Sequence, residues 1–249
     1  PCVRAHRRVS VMQARQHIVM TICAAALMAG CTSAPKMRVS PATTLQAAAL
    51  VDLRTLVPDI DLDIRYAGST NFVGAPIDGN VAPRCYLLAP AAEAIQRAES
   101  ALRAEGFRLR IYDCYRPARA VRHFVTWAND STEQRTKARF YPAIEKRDLL
   151  GEYISPTSGH SRGATIDLTL MQCDASATCT PLDMGTDFDF FDPLANTDSP
   201  RATPQQRANR DRLRDAMKRA GFGNYPMEWW HYTLNPEPAP ATFLDVPIE

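Results

Sequence analysis

The sequence predicts an α+β fold: a single domain whose central, mainly antiparallel sheet is flanked by helices. Three observations carry this expectation. Apolar residues recur with helical spacing in "APAAEAIQRAESALRAEG" (89–106) and "TPQQRANRDRLRDAMKRAG" (203–221). They alternate with a period of two in "FRLRIYDCY" (107–115) and "ATIDLTL" (164–170). Strands and helices do not follow one another regularly and no internal repeat is present, which argues against a doubly wound parallel sheet. With 249 residues, 45% hydrophobic and 22% charged, the chain is long enough for one sizeable core.

The first elements in chain order lie outside that domain. From Met12, "MQARQHIVMTICAAALMAGC" runs from a short basic region through an apolar stretch too short to span a bilayer comfortably, then small residues before Cys31. This is the pattern of an export signal. It resembles a bacterial lipoprotein signal, in which Met28-Ala29-Gly30 precedes the cleavage point and Cys31 becomes the lipid-bearing first residue. Secretion with cleavage elsewhere is the alternative. Residues 1–30 are thus expected to be upstream residues and a signal peptide, with Met12 rather than Pro1 as the start. The small, polar stretch over 31–50 is expected to be a flexible tether, and 51–249 the folded domain. The protein is placed in the cell envelope, as a periplasmic lipoprotein held to a membrane by its lipid.

Removing residues 1–30 takes away Arg4, Arg7, Arg8 and Arg15 and no acid, so the formal charge falls by four, from +2 to −2. Nucleic acid is excluded as a partner class, because no basic footprint remains. Four cysteines are left beyond Cys2, Cys23 and Cys31: Cys85, Cys114, Cys173 and Cys179. An even number in an oxidising compartment points to two disulfides. Cys173 and Cys179 flank the short loop "DASAT", which leaves Cys85 for Cys114; three pairings, or four buried thiols, are open at this stage. No CxxC pair is present, so a cysteine zinc site is not expected.

Within the domain, the helix over 89–106 carries Ala94, Ile95, Ala98 and Leu102 on one side and stops at Gly106. The strand at 107–115 puts Phe107, Leu109 and Ile111 on one face. "PARAVRHFVTWA" (117–128) begins with proline at a favourable first helical position. The helix over 203–221 turns Leu213, Met217 and Ala220 inward.

Chemistry concentrates in a few polar clusters. In "SGHSRGATIDLTL" (158–170) the alternation separates Ile166, Leu168 and Leu170 from Thr165, Asp167 and Thr169, so Asp167 faces away from the core. Gly163 allows a turn that returns His160 to the same place. "MEWWHYTL" (227–234) supplies Glu228 and His231. Beyond residue 30 there are three histidines, His123, His160 and His231, and two stand beside acids. A lone histidine is more often structural than a ligand, but this pairing favours a metal. Two imidazoles and one carboxylate make a three-ligand zinc site with the fourth position left for water, the catalytic pattern rather than the closed structural one.

Glu228 is the candidate base for that water. Three residues from His231, it would point to the opposite face of a regular strand, so a turn or bulge is predicted at Trp229 and Trp230 with the strand resuming at His231. Arg116 in "YDCYRP" stands at a strand end before a proline-started helix, aimed at a developing oxyanion; an ion-paired surface arginine is the alternative.

These residues resemble the zinc D-alanyl-D-alanine dipeptidases, a peptidase family that also contains D,D-carboxypeptidases. The likeness rests on "DIRYAGSTNFVG" (63–74), "YDCYRPARAV" (112–121), "SGHSRGATIDLTL", "MGTDFDFFD" (184–192) and "MEWWHYTL", which stand in the family's order from about Val51 to the end. The resemblance implies one Zn2+ per chain on His160, Asp167 and His231, Glu228 as general base and Arg116 as transition-state stabiliser. It further implies substrate contacts by Tyr66, Ser158 and Asp189, with Asp189 holding the ammonium of a short peptide. The family position occupied here by Cys114 is often glycine.

The implied function is hydrolysis of the D-Ala-D-Ala dipeptide to two D-alanines in cell-wall peptide turnover. The rival expectations are a D,D-carboxypeptidase or endopeptidase on peptidoglycan stem peptides, which would need an open groove, and a non-catalytic, zinc-stabilised wall-binding lipoprotein, which should lack the base.

Overall fold

The structure is a computed structural model and describes residues 37–249. Its strands are β1 (Arg38–Val39), β2 (Leu50–Asp52), β3 (Asp61–Leu62), β4 (Tyr86–Leu88), β5 (Phe107–Asp113), β6 (Thr165–Cys173), β7 (Cys179–Pro181), β8 (Phe222–Asn224), β9 (His231–Leu234) and β10 (Thr242–Phe243). The helices are α1 (Ala89–Ala104), α2 (Ala118–Asn129), α3 (Lys137–Phe140) and α4 (Pro204–Arg219). Residues 37–249 form a single α+β domain around a mixed sheet. No helix among the described residues is long and apolar enough to cross a membrane.

The central sheet has the order β3-β5-β6-β9-β8, with β7 paired to β6 beside β9. β3 runs parallel to β5, and the pairs β5–β6, β6–β7, β6–β9 and β8–β9 are antiparallel. One consequence of register matters most. Asp113 stands opposite Asp167, with a bulge just before it in β5, and Asp167 stands opposite His231. Three polar side chains from three strands are therefore set in one row.

The apolar faces behave as the alternation requires. Leu109, Ile111, Ile166, Leu168 and Leu170 are fully buried, together with Ala94, Ile95 and Leu102 of α1 and Leu213 and Met217 of α4. Ala220 is half-buried just beyond α4 and packs against the same core. Gly106 takes a left-handed φ of 79° after α1, which only glycine adopts at little cost. α4 begins with a capping box in which the Thr203 hydroxyl accepts from the Gln206 N–H and the Gln206 side chain accepts from the Thr203 N–H. Pro117 is the residue before α2 rather than its first helical position; its fixed φ serves the entry equally well.

Two sequence expectations are corrected. The stretch read as a tether over 31–50 is folded from Arg38 on. β1 pairs with β10, and Ala48 and Leu50 are buried against Tyr86, Tyr115, Leu244, Val246 and Ile248. The apolar side chains that end this polar stretch are what pull it onto the domain. Asp167 does face away from the apolar side of β6, yet it is only 2% exposed, because the polar face is roofed by other segments instead of meeting solvent. The signal segment and Cys31 lie outside the described residues.

Candidate active site

His160 reaches the row of strand residues by a tight turn. Residues Gly159–Arg162 form a single 3-10 turn capped by the Ser158 hydroxyl, which accepts from the His160 N–H at 3.3 Å. Gly163 closes the turn with φ 75°, and a Cβ there would press on Leu50 and Leu88 at 3.1 Å. His160 Nε2 then lies 3.2 Å from Asp167 Oδ2 and 3.3 Å from His231 Nδ1, and His231 Nδ1 lies 3.0 Å from Asp167 Oδ1. One donor atom from each of the three residues falls within 4.8 Å of the others.

This trio fits a metal ion on its own hydrogen-bond chemistry. His160 Nδ1 is 2.7 Å from the Cys114 carbonyl, an acceptor only, so that nitrogen carries the proton. In the neutral ring this leaves Nε2 as the ligand atom, facing a second ring nitrogen and a carboxylate. Asp167 Oδ1 is buried and accepts no hydrogen bond. Three converging metal-ligand atoms, one of them a buried carboxylate oxygen without a hydrogen-bond partner, suit a cation between them. The electrostatics agree. Burial works against the charged form of Asp167, but the imidazoles of His160 and His231 outweigh it and hold the carboxyl below its ordinary range. Burial likewise works against a charged His231, and Asp167 more than offsets it. The cluster favours positive charge at its centre.

Glu228 is brought to the same place by the expected break in the strand. The His231 N–H donates to the Glu228 carbonyl across a turn at Trp229 and Trp230, and β9 starts at His231. Glu228 Oε2 stands 3.4 Å from His231 Nδ1. Burial pushes its carboxyl up to about 7, the range of a group that gives and takes protons at neutral pH.

Arg116 is not a surface arginine. Its side chain is 11% exposed, bound to Asp113 Oδ2 through Nε at 2.9 Å and Nη2 at 2.8 Å, with Nη2 also 3.5 Å from Asp167 Oδ2. Its guanidinium lies over the Tyr66 ring at 4.9 Å and the Phe124 ring at 5.1 Å. Burial opposes its charge, and Asp113, Tyr66 and Asp167 more than compensate.

Asp113 is the functional residue that the sequence did not reveal. It is 1% exposed, fixes Arg116 and lies 3.3 Å from His160 Nδ1. The signal was present, an acid at a strand end in "YDCYRP", but nothing local says that β5 and β6 align it with Asp167.

In the same cavity, the Tyr66 hydroxyl donates to both oxygens of Asp189, at 2.9 and 3.2 Å. Asp189 is 5% exposed and holds a left-handed backbone, φ 61°, uncommon for a residue with a Cβ. Burial raises its carboxyl well above the usual range, and the charge of Asp167 adds to this. The segment that carries it is tied down by the fully buried Arg210 of α4, which donates to the carbonyls of Met184, Leu194 and Asn196. Asp187 is exposed and pairs with Arg139, and Asp192 binds Arg201, so neither competes for this position.

His160, Asp167, His231, Glu228, Arg116, Tyr66, Ser158 and Asp189 all border one cavity of about 370 Å3, with an apolar wall that includes Phe72, Val121, Phe124 and Phe191. His123 lies elsewhere, 3.3 Å from Asp78. Both cysteine pairs are joined, Cys85 to Cys114 and Cys173 to Cys179.

Comparison with known proteins identifies the family of the chain. Residues 46–249 match the peptidase M15 family model described as D-ala-D-ala dipeptidase. A D-alanyl-D-alanine dipeptidase of Streptomyces coelicolor is 41% identical over 194 residues, 78% of this chain and 95% of the relative. Those of Enterococcus faecium and Enterococcus faecalis are 35% identical over 198 residues and 37% over 187, covering 79% and 75% of this chain and 96% and 91% of theirs. A match along nearly the whole described domain, with relatives of this identity and coverage, means that the chain belongs to the D-Ala-D-Ala dipeptidase family of the M15 peptidases.

Proposed function

We propose that this protein hydrolyses the D-alanyl-D-alanine dipeptide to two D-alanines, using one zinc ion per chain held at the end of the central sheet by His160, Asp167 and His231. The observation that carries the proposal is a single cavity lined by that donor trio, by Glu228 and by the buried Tyr66–Asp189 pair. When bound, zinc supplies a Lewis acid that acidifies water and polarises a carbonyl.

The chain's own residues do the rest. Glu228, raised by burial to about 7, takes a proton from the attacking water and passes it to the departing amine. Arg116, anchored by Asp113, offers a fixed positive charge to the scissile carbonyl oxygen as it becomes anionic. Asp189 receives the free ammonium of the substrate, which supplies the counter-charge that a buried carboxylate otherwise lacks. Tyr66 orients Asp189, and the Ser158 hydroxyl contacts the bound peptide at the cavity wall. The aromatic side chains exclude competing water around the small methyl groups.

The buried Asp189 carboxyl in the cavity wall favours the dipeptide over an intact stem. A D,D-carboxypeptidase or endopeptidase must pass a long chain where Asp189 and Tyr66 stand, and a chain without an amino terminus there brings no charge to pair with Asp189. The presence of Glu228 at the donor trio argues against a non-catalytic wall-binding role. We also propose that residues 1–30 direct export, that Cys31 carries a lipid anchoring the protein to an envelope membrane, and that the D-alanine released comes from cell-wall peptide turnover. Loss of membrane association in Cys31→Ser, measured by fractionation, tests the anchor.

The central test is release of D-alanine by metal-quantified protein from the D-Ala-D-Ala dipeptide and, separately, from a stem pentapeptide ending in the same pair. Turnover of the dipeptide alone is expected. Equal turnover of the pentapeptide would move the protein to the carboxypeptidase class, and silence on both with zinc bound would point to a binding module.

A further inference from the structure

The two disulfides stand in different relations to the site. Cys173–Cys179 joins β6 and β7 beyond the site, with Cys179 only partly covered. Cys85–Cys114 is buried directly behind the donor trio, both cysteines being 2% exposed or less. Cys114 falls between Asp113 and Arg116, and its carbonyl accepts the His160 Nδ1 proton at 2.7 Å. Cys85 immediately precedes β4, which pairs only with β2 and is not part of the six-stranded sheet. β4 touches the site from two sides: the Tyr86 carbonyl accepts from the Tyr115 N–H at 2.9 Å, and the Leu88 N–H donates to the Gly163 carbonyl, at the turn that carries His160, at 2.7 Å.

We propose that the Cys85–Cys114 disulfide is a positioning element of the metal site: it fixes the Cys114 carbonyl that sets the tautomer and aim of His160, and so couples metal affinity to the oxidation of the protein. This rests on His160, Asp167 and His231 being the metal ligands. A histidine ligand depends on the partner of its other ring nitrogen, and loss of such a partner costs roughly 10–100-fold in metal affinity or activity. Without the disulfide, segment 113–116 keeps the Tyr115 N–H bond to Tyr86, the Tyr115 hydroxyl bonds to Val246 and the Arg116 N–H bond to His160. These ties hold the segment close to its place, so the expected loss falls at the lower end, about tenfold. Disulfides persist in oxidising compartments, so the coupling would hold back full metal affinity until the chain has been oxidised.

The test compares the parent protein with Cys85→Ala/Cys114→Ala and, as a control for disulfide loss in general, Cys173→Ala/Cys179→Ala. Zinc affinity is measured by competition with a chromophoric chelator, and the cobalt-substituted forms are compared by their visible absorption. The expected result is about tenfold weaker binding and an altered cobalt spectrum in the first variant only. Unchanged affinity and spectrum in that variant, or equal losses in both, would overturn the proposal.

Should the first variant not fold, reduction of the folded Cys173→Ala/Cys179→Ala protein by a phosphine replaces it. The phosphine becomes its oxide with an oxygen from water, the S–S bond breaks, and Cys85 and Cys114 each end as a thiol. The zinc affinity of the fully reduced protein, measured with the same chelator, should be about tenfold weaker than before reduction, and an unchanged affinity after complete reduction overturns the coupling. A parent protein that binds no zinc would overturn the ligand assignment itself, a result distinct from a bound parent whose variant is unchanged.

Discussion

Asp167 and Asp189 are two buried carboxylates lining one cavity, and their surroundings drive them in opposite directions. Both lose water, which by itself favours the neutral acid. At Asp167, His160 and His231 more than repay that loss and the group is held as an anion. At Asp189 the principal polar partner is a neutral tyrosine hydroxyl, the charge of Asp167 is repulsive, and the carboxyl is raised. Burial alone thus does not assign a role to an acid; the charge of its neighbours does. In the proposed function Asp167 serves a resident cation and Asp189 a cation that arrives with the substrate.

The largest effects should come from the metal site. Asp167→Ala is expected to abolish both stoichiometric zinc binding and turnover; a variant that keeps its zinc would remove Asp167 from the donor set. Glu228→Ala should separate the two properties, keeping zinc while kcat falls by about 10²–10⁴-fold. Unchanged turnover there would mean that another group moves the proton. Arg116→Met should lower kcat by about 10²–10³-fold with little change in KM, and a pure KM effect would make it a ground-state contact instead.

Smaller effects are expected at the ammonium site. Asp189→Asn should raise KM for the dipeptide by roughly 10–100-fold, the value of a charged hydrogen bond of about 1.5–3 kcal/mol, while leaving zinc content unchanged. The pH dependence has a definite sign. Because the Asp189 carboxyl is raised, its anion is lost as pH falls through that raised value, so KM should decrease as pH rises from the ordinary carboxylate range towards the substrate amine near about 8. That slope should vanish in Asp189→Asn. The smallest change is expected from Tyr66→Phe, a rise in KM of a few-fold for one hydrogen bond of about 0.5–1.5 kcal/mol.

Much of the site was legible because its parts are local. The alternation in "ATIDLTL" assigned Asp167 to the face opposite Ile166 and Leu168, and Gly163 stands at a positive φ as the return of His160 requires. The spacing of Glu228 and His231 demanded a turn at the two tryptophans. Asp113 was missed because its importance depends on pairing with a strand about fifty residues away. The expected boundary near Val51 fell too late because Ala48 and Leu50 find their partners near the C-terminus.

The sequence by itself determined the donor types, the helical and extended segments and the points where the chain must turn, since these follow from side-chain chemistry and from periods of a few residues. Only the tertiary structure decided that Asp113, Asp167 and His231 stand in one row, that a polar strand face is buried, and that the Cys114 carbonyl orients His160. Those facts depend on strand register and on contacts between residues far apart in the chain, where small differences in packing free energy select one pairing among many that the local pattern would allow.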